Sequence, residues 1–295
     1  MIIINLRGQM GNQLFQWALF RSLQMNGKHV KIDTSFLKAK NLKEPLKEIF
    51  HLKYDVIKSD REKWNVIYHP FEFLPIRINK RFYHKKALNN HYIPSILTND
   101  YNPSIFNKNW AYLDGYFQSE RYFQGPEVQE QLRLDLRCPD YVQQSSKYQK
   151  WLKRIKESPS CSIHFRRTDY LEMDELYGNI CTETYYENAI KEILETNKNS
   201  HFFIFSDDKE YVQNYFKEKY SHLCYTVVND DLEDIEDFFL MSSCTNHILA
   251  HSSFSWWAAW LDDNPASIIL APEKWNNLNN WDAIYTSRMK KIKIQ

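Results

Sequence analysis

The feature that most restricts this chain is a series of short apolar runs in its second half, at 161–165, 201–205, 225–228, 246–250 and 267–270, separated by stretches of helical spacing. Runs this short and this continuously apolar read as strands buried on both faces, and connections this long are crossovers rather than hairpins. The expected product is an open parallel sheet flanked by helices. The first half begins the same way. An apolar run at 1–6 ends in Arg7-Gly8, a helical apolar face covers 12–25 until Asn26-Gly27 stops it, and Val30-Lys31-Ile32-Asp33 reads as a second strand. A further strand is expected at 111–117, with Gln118-Ser119-Glu120 turning the chain into a helix, and 139–156 reads as a polar helical bridge. The fold class is therefore α/β, with two sheet-bearing units, 1–150 and 151–295. From 64 to 110 the pattern is irregular, aromatic and punctuated by proline, and it supports no assignment.

A length of 295 residues allows one large domain or two of ordinary size. Lys and Arg number 38 against 37 acidic residues, a formal charge of +1. Nucleic-acid binders usually show a basic excess, so this balance argues against nucleic acid as the main ligand, whereas an anionic small molecule needs only a local patch. Aromatic residues make up 16% of the chain, which suits sugar-stacking surfaces and a core equally; Trp256, Trp257 and Trp260 read as core. The five cysteines, Cys138, Cys161, Cys181, Cys224 and Cys244, are odd in number and include no C-x-x-C pair, which favours reduced thiols over disulfides or zinc. No cleavable apolar leader opens the chain and no run approaches the ~20 apolar residues of a membrane span, so it reads as cytoplasmic.

Ligands of open parallel sheets bind beyond the carboxyl ends of the strands, and in the second half three such ends are polar. The first carries Ser162-Ile163-His164-Phe165-Arg166-Arg167-Thr168-Asp169. Alternation sends Ser162, His164 and Arg166 to one face and Ile163, Phe165 and Arg167 to the other, so the two arginines need different roles. A guanidinium fork grips phosphate or carboxylate and keeps its charge at any physiological pH, which makes this a credible anchor for an anionic leaving group. An Arg167–Asp169 ion pair closing a surface loop is the competing reading. The second end, Ser206-Asp207-Asp208, suits an N-cap for a helix starting near Lys209 as well as a ligand contact. The third, Ser252-Ser253-Phe254-Ser255, precedes a helix, so its hydroxyls and amides point where a pyrophosphate could sit. Plain N-capping accounts for only one of those serines. A helix end stabilises an anion by about 0.3 to 2 kcal/mol and a charge-assisted bond from arginine by roughly 1.5 to 3, so the arginine dominates. The acidic run 230–237, with Leu232, Ile235, Phe238 and Phe239 on a helical face, reads as structural and solvated.

The turn Gly8-Gln9-Met10-Gly11 lets backbone approach a ligand closely, although a tight turn alone would explain its glycines. A dinucleotide fingerprint would need Gly-x-Gly-x-x-Gly here, with Asp33 as the ribose acid; the spacing is wrong and the third glycine is missing.

Read in order, three segments resemble one family. His-x-Arg-Arg-Thr-Asp at 164–169 is similar to the motif shared by fucosyltransferases that make α1,2, α1,6 and protein O-linked products, and 8–18 and 252–261 are similar to the first and last signatures of glycosyltransferase family 11, the α1,2-fucosyltransferases. Segment 115–119, Gly-Tyr-Phe-Gln-Ser, fits the same pattern. The resemblance implies a GT-B fold, two facing Rossmann-like domains with a cleft between them, the first on the acceptor side, the second binding GDP-fucose, and the C-terminal tail packing back on the first. It implies inverting transfer of L-fucose from GDP-β-L-fucose to the 2-hydroxyl of a terminal galactose in a β-galactoside acceptor; the alternatives are a fucosyltransferase of α1,6 or protein O-linked specificity, since the Arg-Arg motif is shared, and a catalytically silent glycan- or sugar-nucleotide-binding protein on the same fold. Arg166, His164 and Asp169 are then the catalytic candidates, and Arg167, Asp207, Ser252, Ser253, Phe254, Ser255, Gly11 and Asn12 the donor-binding ones. Asp207 would lie near guanine or ribose, and 64–110 would read the acceptor. Arginine and helix N-termini suffice to neutralise a diphosphate, so neither metal nor cofactor is expected. Lysines between 37 and 58, on one or two helices broken at Pro45, read as a solvated face; the alternative is peripheral guidance to lipid-linked glycans at the inner membrane face.

Overall fold

Ile2, Ile3 and Ile4 are fully buried because β1 (Ile2–Asn5) lies inside a parallel sheet, with β2 (Val30–Asp33) on one side. The computed structural model describes residues 1–68, 91–95, 101–167, 173–278 and 281–295. The helix following β1, α1 (Met10–Met25), contains no β-branched residue and is rich in Leu, Gln and Met, which favours helix. It ends in a Schellman motif: the Lys28 amide donates to the Leu23 carbonyl and the Gly27 amide to that of Gln24, with Gly27 at φ +72. α1 buries Leu14, Phe15, Trp17, Ala18, Leu19 and Leu23 on the sheet. Two short helices, α2 (Ser35–Lys40) and α3 (Pro45–Glu48), break at Pro45 as expected, and α4 (Asp60–Ile67) follows.

The sheet is completed by β3 (Tyr92–Ser95) and β4 (Ala111–Gly115), in the order β2-β1-β4-β3. β3 was not legible in the sequence; it tolerates Pro94 because it is an edge strand. β4 stops before the expected 117 because Phe117 takes φ +53 and turns the chain. Its buried ring packs edge-on against Tyr122, after which α5 (Pro126–Asp135) closes the unit. Asp135 accepts from both Trp17 and Arg21, pinning α5 to α1.

The chain divides into two compact units, Met1–Arg137 with Asp282–Ile284, and Cys138–Trp281 with Tyr285–Gln295. Helices α6 (Asp140–Gln143) and α7 (Ser146–Lys156), read as a bridge across the expected boundary at 150, belong to the second unit, which begins at Cys138. Tyr148, Trp151 and Ile155 bury one face of α7, and Ser145 at its N-cap donates to Glu236 at 2.5 Å.

The second sheet is parallel and six-stranded in the order β10-β9-β8-β5-β6-β7. Its members are β5 (Ser160–Phe165), β6 (His201–Ser206), β7 (Tyr225–Val227), β8 (Asn246–Ile248), β9 (Ile269–Pro272) and β10 (Met289–Ile292). The crossovers include α8 (Asp174–Tyr177), α9 (Glu183–Thr196), α10 (Lys209–Lys219), α11 (Asp234–Ser242) and α12 (Ser253–Leu261). On one face Cys161, Ile163 and Phe165 pack with Tyr185, Tyr186, Ile190, Val212 and Phe216 of α9 and α10. β9 begins two residues later than expected because Ser267 closes a turn onto the Asn264 carbonyl. β10 was missed: Lys290 and Lys291 interrupt its apolar character, but they are exposed on an edge strand, where lysine discourages edge pairing. The tail therefore completes the second sheet, and only Asp282–Ile284 groups with the first unit.

Two parallel sheets, each with crossover helices, make this an α/β fold built from two Rossmann-like units. The five cysteines are free thiols. Among the described residues no helix is long and apolar enough to cross a membrane.

Candidate functional site

β5 delivers its last residues to two different environments. Ser162 and His164 face away from the Cys161, Ile163 and Phe165 core: Ser162 Oγ meets His247 Nδ1 at 3.0 Å, and the His164 ring lies 5.8 Å from that of Phe254. Beyond the strand the arginines diverge as alternation requires. Arg166 Nη1 is 3.3 Å from Asp207 Oδ2, and Asp207 Oδ1 accepts the backbone amide of Arg167 at 2.9 Å. Arg167 turns the other way, its guanidinium 3.3 Å from the centre of the Tyr211 ring and its Nε 3.2 Å from Asp208 Oδ2. Asp208 in turn caps α10, accepting from the Tyr211 amide at 3.1 Å. Asp207 is thus a brace for Arg166, and Arg167 is a clamp between β5 and the start of α10. Asp169 lies outside the described residues, and so do 69–90 and 96–100 of the segment expected to read the acceptor.

The end of β8 stands beside that of β5, since Cys161, Ser162 and Ile163 pair with Asn246, His247 and Ile248. From there the chain passes through His251 into α12. Ser252 is the N-cap and accepts from the Phe254 amide at 3.3 Å; the Trp256 amide bonds to the Ser252 carbonyl and begins the helical ladder. The amides of Ser253 and Ser255 are left at the open helix end, where partial positive charge accumulates. The four residues proposed there are not alike. Ser255 is fully buried, its hydroxyl donating to the carbonyls of Ala250 and Ser252, so that side chain serves the turn. Phe254 wedges between His164 and Phe238, while the half-buried Ser253 hydroxyl forms no bond among the described residues. Trp256 and Trp257 are buried core, as read from composition.

Burial sets the protonation of this region. It depresses the His164 imidazole to about 4, assisted by the Arg166 charge and opposed by Asp207, so the ring is neutral near pH 7 and a weak proton acceptor. Asp237 on α11 is the residue that sequence reading missed. Burial raises its carboxyl to about 7, Lys209 only partly offsetting this, and its Oδ1 has no hydrogen-bond partner among the described residues. The run 230–237 is therefore not simply solvated: Glu236 is buried in a capping box with Glu233, and Asp237 is a buried acid on the same helix. The signal was present in the spacing, because Asp237 shares a helical face with Leu240 and Met241, three and four residues on.

In the first unit Gly8 takes φ +74, and a Cβ there would fall 2.5 Å from Asn12 Nδ2. Gly11 lies in the first turn of α1, and Asn12 Oδ1 accepts from Gln118 at 2.6 Å. The strand ends hold a second polar cluster: Asp114 binds Arg7, Asn5 and Tyr92, the last two at 2.9 and 2.5 Å, and these partners keep its carboxyl below the usual range despite burial. Asp33 is buried and accepts from Tyr112 and the Ser35 amide, so it is committed to the fold rather than poised for a ribose.

A parallel sheet whose strand ends gather a braced guanidinium, a neutral imidazole and an open helix N-terminus defines a doubly wound α/β protein with its polar groups collected where such sheets bind ligands. The chain belongs to glycosyl transferase family 11, whose model matches residues 1–291, and is a glycosyltransferase. Among curated relatives, the alpha-1,2-colitosyltransferase of Escherichia coli is 37% identical over 180 residues, which are 57% of this chain and only 58% of that protein. The O-antigen biosynthesis glycosyltransferase WbnK of Escherichia coli is 30% identical over 295 residues, 93% of this chain and 95% of the relative. Among solved structures, an arginine-to-lysine mutant of Arabidopsis thaliana FUT1 in complex with GDP aligns over 93% of this chain and 71% of its own, at 13% identity and a TM-score of 0.47.

Proposed function

We propose that this glycosyltransferase moves L-fucose from GDP-β-L-fucose to the 2-hydroxyl of a terminal galactose in a β-galactoside, with inversion and without a metal ion. The observation that carries the reading is Arg166, braced by Asp207 at the end of β5 and adjacent to the strand that leads into the open end of α12. As the glycosidic bond loosens toward an oxocarbenium-like state, its electron pair leaves with GDP. Arg166 and the Ser253 and Ser255 amides stabilise that growing charge more in the transition state than in the ground state. His164, held neutral, donates a hydrogen bond to a phosphate oxygen rather than taking the acceptor's proton. Asp237, buried and with one oxygen unpartnered among the described residues, suits the paired N–H donors on the edge of guanine. The acceptor proton goes to a carboxylate; Asp169 is the candidate nearest in sequence to Arg166.

A second donor is favoured by one observation, the identity to a protein named as an alpha-1,2-colitosyltransferase. Colitose is fucose without its 3-hydroxyl, so both sugars place the same demands on the diphosphate grip. The test is incubation with lactose and either GDP-fucose or GDP-colitose, following free GDP and reading the product linkage by NMR. An α1,2-linked trisaccharide supports the reading, and the faster donor decides between sugars. No GDP release from either donor sinks it.

A further inference from the structure

In an open parallel sheet a ligand crevice lies beyond the carboxyl ends of the two neighbouring strands whose connections run to opposite sides. In the second unit those strands are β5 and β8, where Arg166 and α12 stand: β5 hands the chain to β6 on one side and β8 to β9 on the other. In the first unit they are β1 and β4, because β1 hands the chain to β2 whereas β4 is entered from β3 on its far side. Ile4 pairs with Leu113, so Asn5 and Asp114 follow level with each other, and alternation carries Arg7 and Tyr116, two residues past each, toward the same face. Gln16 of α1, fully buried, fixes both strand ends: its Oε1 accepts from the Arg7 amide at 3.0 Å and its Nε2 donates to the Gly115 carbonyl at 2.8 Å.

Arg7 is held on two sides. Its Nε and Nη2 both donate to Asp114, the latter at 3.2 Å, and its guanidinium carbon lies 4.2 Å from the centre of the Phe36 ring on α2. Its Nη1 forms no hydrogen bond among the described residues and is not shut off from solvent. Asp114, bound also by Asn5 and Tyr92, stays ionised and cancels the Arg7 charge. The half-buried Tyr116 has a hydroxyl that is likewise unpartnered among the described residues and likewise open to solvent. Burial raises its pKa, the Arg7 charge opposing this and Asp114 reinforcing it, so the phenol keeps its proton beside the pair.

We propose that this crevice binds the acceptor sugar: Arg7 Nη1 and the Tyr116 hydroxyl hydrogen-bond hydroxyls of a terminal hexose, while Asp114 and Phe36 hold the guanidinium in place. This rests on the sugar-transfer reading above. Charge assigns the occupant. A diphosphate is met in the second unit by a guanidinium together with helix amides, whereas here a carboxylate engages two nitrogens of the fork and cancels its charge. What remains is a fixed N–H edge and a phenol, which suit a ligand that offers hydroxyls and carries no charge.

The experiment titrates lactose into wild type, Arg7→Lys and Tyr116→Phe with GDP present, followed by saturation-transfer NMR, and titrates GDP into the same proteins by calorimetry. Lysine keeps the charge opposite Asp114 and phenylalanine keeps the ring, so each variant removes one donor from the crevice and little else. We expect each to weaken lactose binding about tenfold, the scale of one hydrogen bond, while GDP affinity stays within about twofold. Unchanged lactose affinity in either variant, or a wild type that takes up no lactose, would overturn the proposal. So would a loss of GDP affinity matching the loss for lactose, which would give the crevice to the diphosphate instead. A wild type that binds lactose but transfers no sugar to it would sink the transfer reading and leave this site standing.

Discussion

Arg166 holds its place because Asp207 uses both oxygens, one toward the guanidinium and one on the Arg167 amide. Lysine would keep the charge and lose the planar fork, so Arg166→Lys is expected to lower kcat about 100-fold or more, measured as GDP release. Asp237 gives a prediction of opposite sign for stability. The unfolded chain releases this proton near 3.8 and the folded one keeps it to about 7, so the associated stability is complete below 3.8 and drains away as pH rises to 7. Asp237→Asn should therefore raise the Tm of the ligand-free protein at pH 7 to 8 by about 2 to 4 °C, the gain vanishing below about pH 4, while weakening GDP binding. His164 and His251 act the other way. Their folded values of about 4 and 3 lie below the unfolded 6.5, so the stability they contribute is present above 6.5 and is lost as pH falls toward 4. In the Asp237→Asn background, thermal melts should show Tm falling from pH 6.5 to 4; a flat profile there would contradict neutral burial of the two rings. At this scale the residue types were legible in the sequence but their partners were not. Two arginines on opposite sides of a strand end follow from alternation, whereas the pairing of Arg167 with Asp208, 41 positions on, needed the fold.

Elements were more legible than side-chain partners, because each is fixed by local rules. The Schellman stop of α1 at Asn26-Gly27 and the break at Pro45 follow from residue chemistry alone. What escaped were strands whose identity depends on a neighbour: β3, which carries a proline, and β10, which carries two lysines, are recognisable only once placed at sheet edges. The entrance to α1 offers an element-scale test. Gly8 combines a left-handed φ with a Cβ position already filled by Asn12, so Gly8→Ala must either strain the turn or displace Asn12 from Gln118. It is expected to cost about 1 to 3 kcal/mol in urea unfolding, and more than the same change at Gly27, where a Cβ meets nothing. Equal costs at the two glycines would show that the Asn12 contact does not matter.

At the scale of the molecule, the proposed reaction makes one chemical demand that accounts for what the second sheet gathers. A departing nucleoside diphosphate needs fixed positive charge and fixed amides, and β5, β6 and β8 end side by side with a guanidinium, its bracing carboxylate and a helix N-terminus. That this unit was a parallel sheet could be read from the spacing of its apolar runs. That α11 carries a buried acid could not, because an acidic run looks solvated until the helix it belongs to is packed. The most direct test is a calorimetric titration of GDP into wild type and Arg166→Lys, each with EDTA present. The account predicts binding by the wild type without divalent metal and an affinity at least about tenfold weaker in the lysine variant, in line with the loss of one charge-assisted bond. Equal affinities, or wild-type binding that appears only when magnesium is restored, would contradict it.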